Sequence, residues 1–404
     1  MSAFFRSKHF IFLIACLTGL TALSLDALLP AFAAMSADFA STLQHENDIQ
    51  LVIFVYILGF ASMQIVYGIL ADRYGRKPML YLGLGIYLLA TASVFCLTSF
   101  KALLLARFCQ GLGLGALRVM SQAVVRDVAS GKDMARIMSY SVMVFMIIPI
   151  LAPSLGLLVL KTGSWKNIFW FFLLAGIIMA VWSIRVLPET LSPDNRMPLT
   201  FKNIQSALSA CFKHRPTLVY MMMNGALYGG LMSYIGQSEQ ILGRDVYSLG
   251  DKFPLVFAFC TSGMILSSFI NTKLVMKFRL QQLVLGSLSL MFIVDGGLII
   301  STIIGNGKPN LWFFIASITL HLMAYNLTMP NLNALMMEAH QKIAGTASSI
   351  IGTTMLLIGT CIAHLVASQF NGTVYPLALG LWLLSSVALW CLWSVKQLER
   401  KLSP

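Results

Sequence analysis

Residues 68–78, G-I-L-A-D-R-Y-G-R-K-P, decide how the rest of this chain is read. They gather Asp72, Arg73, Arg76 and Lys77 between two apolar runs, 49–70 and 79–98, each long enough to cross a bilayer as a helix. A charge island so placed is a short loop at a membrane face. Gly68 suits close approach of two backbones, Gly75 suits a positive-φ turn position, and Pro78 suits the first turn of the following helix. Short loops rich in Lys and Arg stay in the cytoplasm, so the same stretch sets an orientation.

Composition leads to the same environment. Of 404 residues, 58% are hydrophobic and only 11% charged, with a mean hydropathy of +0.80, which is more apolar surface than a water-soluble core can use. Backbone groups in lipid must be satisfied within each segment, and long runs without alternation are helices rather than barrel strands. The expected fold class is an all-α integral membrane protein of twelve transmembrane helices in two six-helix bundles. A net charge of +13 suits a nucleic-acid partner only if it is gathered on one surface. Here most of the Lys and Arg fall in alternate loops, as orientation in a lipid bilayer requires, and no nucleic-acid partner is expected.

Outward from the loop, Arg6 and Lys8 precede an apolar run over 10–34. Ala31-Phe32-Ala33 resembles a signal cleavage site, but the run is longer than a signal core and holds Asp26 and Pro30, so it reads as a retained first span. Further spans follow over 102–128, 134–160 and 165–186. Residues 187–216 form the longest polar segment, and six more runs lie beyond it, over 217–240, 253–273, 281–304, 311–337, 343–369 and 374–395. The expected organisation is an N-terminal six-helix bundle over 1–186, a cytoplasmic linker over 187–216 and a C-terminal six-helix bundle over 217–404, with both termini cytoplasmic. The second-half counterpart of the charged loop, 271–279, keeps Lys273, Lys277 and Arg279 but not the Gly-Asp-Arg pattern.

Signals for catalysis are missing. The seven cysteines are scattered without a C-x-x-C pair, the six histidines include no H-E-x-x-H, and no phosphate-binding G-x-x-x-x-G-K-S/T occurs. No metal, no cofactor and no enzymatic activity are expected. Gly111, Gly113 and Gly115, like Gly345, Ser348, Ser349 and Gly352, sit in apolar runs where small residues serve helix packing. The chemistry lies in charges that lipid penalises by roughly 2.5–3.5 kcal/mol each. These are Asp26, Arg107, Arg118 and Asp295. Asp26 and Arg107 read as functional, and Asp295, beside Gly296 and Gly297, as structural. Arg118 lies three helical turns beyond Arg107, roughly 16 Å at about 1.5 Å per residue, and so on nearly the same face.

The 68–78 stretch matches, position for position, the signature between spans two and three of the major facilitator superfamily. Residues 103–111, L-L-L-A-R-F-C-Q-G, resemble its fourth-span motif, with Arg126-Asp127 closing that span. Residues 149–156, P-I-L-A-P-S-L-G, are similar to the fifth-span motif of twelve-span drug:proton antiporters, with Leu157 where a second glycine is common. Leu23-Ser24-Leu25-Asp26 to Pro30, Trp165-Lys166 with Phe169, Leu187-Pro188-Glu189-Thr190 and the run from Ala344 to Ser349 resemble the Bcr/CflA-like branch.

The resemblance implies a secondary active exporter in a bacterial inner membrane. It would exchange protons for a small amphiphilic molecule by alternating access, as a monomer. Proton coupling would fall to Asp26 and Arg107, and gating to Gly68, Asp72, Arg73, Gly75, Arg76, Arg126, Pro149, Pro153 and Gly156. Substrate contacts would come from Arg107 and Arg118, from Met222, Asn224, Tyr228, Tyr234 and Gln237 in span seven, and from His321, Tyr325, Asn326 and Asn331 in span ten. If both arginines face the cavity, its surplus positive charge favours an anionic substrate, such as a carboxylate siderophore exported as an endogenous metabolite. A non-transporting membrane sensor is the remaining alternative.

Overall fold

The computed structural model describes residues 8–129, 131–191, 208–340 and 344–402. The amino end before Lys8, most of the 187–216 linker and residues 341–343 lie outside them. All regular structure among the described residues is helical, and the helices group into two compact units, 1–200 and 201–404.

The first unit holds α1 (Lys8–Asp26), α2 (Phe32–Asp38), α3 (Leu51–Ser62), α4 (Gln64–Tyr74), α5 (Arg76–Ser93), α6 (Phe100–Val128), α7 (Gly131–Leu160) and α8 (Lys166–Val186). The first apolar run is thus not one helix. Pro30 has no N–H for the carbonyl of Asp26 and disfavours helical geometry at Leu29, so α1 stops at Asp26 and a single 3-10 turn, Leu29–Ala31, leads into α2. In contrast, α7 runs through Pro149 and Pro153 without ending. α6 is flanked by α3 and α5, and small residues set both crossings. A Cβ at Gly111 would strike the carbonyl oxygen of Tyr56, and one at Gly113 the carbonyl oxygen of Gly83.

The second unit holds α9 (Arg215–Ser238), α10 (Phe253–Leu274), α11 (Leu280–Ile304), α12 (Leu311–Glu338), α13 (Ala344–Ala367) and α14 (Tyr375–Leu402). Its pairings repeat those of the first unit. α10 and α11 pack on α12 as α3 and α5 pack on α6, and α9 packs on α13 and α14 as α1 packs on α7 and α8. The repeat is carried by which helices meet, since side chains drift while the crossing pattern is kept.

Among the described residues, eleven helices are long and apolar enough to cross a membrane. α9 is as long, at 24 residues, but is not one of the eleven. Its polar and small residues are tolerated because α13 and α14 cover it, leaving Asn224, Ser233 and Gln237 buried. The outer faces carry large apolar side chains without protein cover, including Leu89 at 75%, Ile304 at 78% and Trp312 at 75% exposure, as a lipid-facing surface requires.

Candidate functional site

The break after α1 creates the first unit's polar centre. A helix end leaves its last carbonyls without N–H partners, and Arg107 fills one of them. Its Nη2 donates to the Ser24 carbonyl at 3.0 Å, its Nε to the Val52 carbonyl at 3.1 Å, and its Nη1 to Gln110 Oε1 at 2.8 Å. The guanidinium also lies 4.4 Å from the Tyr56 ring centroid. Placing a cation against the negative end of α1 is favourable. Gln110 passes the network on to Thr91 Oγ1 at 2.9 Å. Ser24 Oγ and the Tyr87 hydroxyl share a bond of 3.0 Å, and the Tyr56 hydroxyl donates to the Thr21 carbonyl at 2.8 Å.

Asp26 is the last residue of α1, 2% exposed. Its Oδ1 has no hydrogen-bond partner, and the ion pairs among the described residues do not join it to Arg107. Gly156 of α7 backs the break directly, because a Cβ there would strike the carbonyl of Ala27. Pro153 and Pro149 lie about one and two turns earlier on the same helix. The two residues named for proton coupling are therefore joined only indirectly. Arg107 holds the backbone two residues from Asp26 and leaves the carboxyl alone.

This arrangement also bears on the ligand-facing role expected of the two arginines. Arg107 is fully buried, and its three nitrogens are spent on two carbonyls and an amide. Arg118 is half-buried further along α6, with its guanidinium 5.4 Å from the Phe145 ring of α7. A planar fork presented to a ligand is thus not what Arg107 offers.

At the charged loop, Arg76 is the hub. It is 8% exposed, meets Asp72 Oδ1 at 2.5 Å through Nη1, and grips Asp127 through Nε at 2.8 Å and Nη2 at 3.3 Å. Of the cations named for the gate, Arg76 makes this bridge, while Arg73 and Arg126 are exposed. Glu189 completes the clamp. Its Oε1 accepts from the Arg76 N–H at 2.9 Å and its Oε2 from the Lys77 N–H at 3.0 Å, filling the N-terminus of α5 with a negative charge. Thr190 Oγ1 adds a bond of 2.9 Å to Asp127. Gly75 has φ 104°, a left-handed value that favours glycine, and a Cβ there would press on Glu189. Gly68 departs from expectation, since nothing in its surroundings lies within 4 Å of a Cβ built on it.

The span-seven and span-ten candidates divide. Asn326 Nδ2 bonds Met264 O, Ser267 Oγ and Ser268 Oγ at 2.8–2.9 Å, and Asn331 Nδ2 bonds Asn271 Oδ1 at 2.8 Å. Both tie α12 to α10 as interhelical fasteners. Tyr234 is buried and stacks on Phe257, and Gln237 donates to the Ser233 carbonyl of its own helix at 3.3 Å. Asn224 reaches Asn333 at 3.4 Å, Tyr325 is 6% exposed, Tyr228 is half-buried, and Met222 is exposed at 48%. His321 pairs with Asp295, Nδ1 to Oδ1 at 2.7 Å. At the start of α9, Thr217 Oγ1 lies 2.8 Å from His214 Nδ1 and 3.0 Å from His340 Nε2. Burial, with the neighbouring His214, holds the pKa of His340 below the ordinary histidine value.

Sequence reasoning missed the roles of Glu189, Asp127 and Tyr56, and the Asp295–His321 pair. It also passed over Glu239, 5% exposed in a π-helical turn, Glu239–Arg244, that continues α9. For Glu189 a signal existed in Leu187-Pro188-Glu189-Thr190, where a carboxylate follows a helix stop. Its partner, 113 residues away in sequence, gave no local sign.

A family model described as Major Facilitator Superfamily matches residues 14–364. The bicyclomycin resistance protein homolog of Haemophilus influenzae is 27% identical over 369 residues, covering 91% of each chain. Multidrug resistance protein MdtL of Escherichia coli is 34% identical over 168 residues, 41% of this chain and 42% of that one. Among solved structures, the D-xylose-proton symporter superposes with a TM-score of 0.73 at 14% identity, covering 96% of this chain and 97% of that one. The human organic anion transporter MFSD10 gives 0.70 at 18% identity, covering 96% and 99%.

Proposed function

Because the chain belongs to the major facilitator superfamily, and so is a multi-pass membrane transporter and not an enzyme, we propose that it exports a small amphiphilic molecule in exchange for protons. The similarity to bicyclomycin and multidrug resistance proteins supports export of drug-like molecules. In this reading the protein sits in a bacterial inner membrane as a monomer with both termini in the cytoplasm. The two six-helix bundles work by alternating access.

The observation that carries the reading is Asp26. A buried carboxyl at a helix break, with one oxygen unpartnered and no cation bonded to it, can take and release a proton without breaking an ion pair. Arg107 positions the break, so its part in coupling is through the backbone of Ser24. The anionic-substrate alternative rests on Arg118 alone once the donors of Arg107 are counted. The test is uphill efflux from proteoliposomes under an imposed pH gradient, with ethidium as a cationic probe, bicyclomycin as a neutral one and citrate as an anionic one. Transport of none of them, with or without the gradient, would overturn the reading.

The clamp around Arg76 is read as the cytoplasmic gate. Asp72→Ala is expected to raise the inward-open population, and Arg76→Ala to raise it further, because Arg76 also holds Asp127. Asp72 is half exposed, at 51% of its side chain, which limits its own share to about 1 kcal/mol. Distances between spin labels at the ends of the two halves check this; identical distributions in both variants and wild type would reduce the clamp to an anchor.

A further inference from the structure

The second unit carries a pair of titratable side chains that a proton route through Asp26 does not use. Asp295 on α11 and His321 on α12 are 0% and 2% exposed, with Nδ1 and Oδ1 2.7 Å apart. Holding these helices together needs no such pair, because Ser287 and Thr328 already link them by a hydroxyl–hydroxyl bond of 2.7 Å. Ionisable groups inside a membrane bundle are costly and are kept for what they do.

Two atoms of the pair are left over. Asp295 Oδ2 and His321 Nε2 are buried without a hydrogen-bond partner. Nε2 is the His321 atom nearest Gly230 on α9, where a Cβ would lie 3.9 Å from it and 3.3 and 3.7 Å from Leu381 and Leu384 of α14. Gly230 itself brings no side chain against the outer imidazole nitrogen, which is buried and unpartnered.

The chemistry follows from the inventory of donors. A carboxylate only accepts, so Nδ1 carries the hydrogen facing Asp295, and Nε2 of the neutral ring presents a lone pair. A proton arriving there forms an Nε2–H bond and takes the pair from one net negative charge to none. Other titratable side chains on the helices packed against α12 are Tyr220, Tyr228 and Tyr234 with Arg215 on α9, Cys260 and Lys273 on α10, and Cys361 and His364 on α13. Of these groups and Asp295, only Asp295 is hydrogen-bonded to His321 among the described residues.

We propose that His321 Nε2, held by Asp295 and turned toward Gly230, is a proton-binding site of the C-terminal half, additional to Asp26. It rests on the proton-coupled reading for its use in transport, but not for its existence. Histidine labelled with nitrogen-15 in the reconstituted protein reports the charge of each ring between about pH 8 and pH 5, and His321→Gln assigns the signal. The His321 Nε2 signal is expected to change from bare nitrogen to N–H, and the Nδ1–H signal to move in Asp295→Asn, where the carboxylate that accepts from it is gone. Should Asp295→Asn not fold, proton uptake on acidification supplies the second measurement, and it is expected to fall by about one per protein in His321→Gln. A His321 signal constant across the range, or uptake unchanged by His321→Gln, overturns the proposal. Titration of His321 in a protein whose efflux ignores the pH gradient would support this site while removing the antiport reading, and a silent His321 with gradient-dependent efflux would do the reverse.

Discussion

Replacing Asp26 by Asn is expected to bring pH-gradient-driven efflux down to the level of protein-free vesicles while leaving the fold intact. The two side chains are nearly the same size, and none of the hydrogen bonds described around the α1 break uses the Asp26 side chain, so little structure is at stake. What is lost is the one group there that can change its charge. Arg107 keeps its bonds to Ser24, Val52 and Gln110, and the unfolding midpoint should stay within the range of a neutral substitution, about 0.5 kcal/mol. Efflux under a pH gradient and thermal unfolding in detergent are the two measurements. Undiminished uphill efflux in Asp26→Asn would move the coupling site elsewhere, with Asp295–His321 the first place to look.

The second large effect is expected at Gly156. A Val there puts its Cβ into the carbonyl of Ala27, and backbone cannot rotate aside as a side chain can. The α1 break must then move off α7, carrying Asp26 and the Ser24 carbonyl with it. Overpacking of this kind costs about 1–3 kcal/mol, and here it also displaces the acceptor of Arg107. Gly156→Val should lower the unfolding midpoint and abolish driven efflux, with Gly156→Ala intermediate. Gly68→Ala is the control, since a Cβ at Gly68 meets nothing within 4 Å, and its stability should match wild type. Equal stability and efflux in Gly156→Val and wild type would show that α1 and α7 are not held at this contact.

These expectations differ in how far they could be read from the letters. Asp26 was visible because a carboxylate inside an apolar run is costly wherever it lies. Gly156 was visible only as part of a motif, and its contact with Ala27 required the fold. The same divide separates Arg107 as a charge in a span, plain from its position, from Arg107 as the cap on a broken helix. The break itself is local, written by Pro30, but the cation that satisfies it comes 83 residues later.

By itself the sequence determined the environment, the helical class and the costly charges. Those depend on composition, apolar run length and the short-range chemistry of Gly and Pro, all local in the chain. Only the tertiary structure decided which charges meet. It gave Arg76 to Asp127 and Glu189, left Asp26 without an ion partner, and joined Asp295 to His321. It also buried α9, whose letters are too polar for a simple span, between α13 and α14. Hydrogen bonds and ion pairs act over about 3 Å in space, so residues far apart in sequence become partners only once helix packing has brought them together.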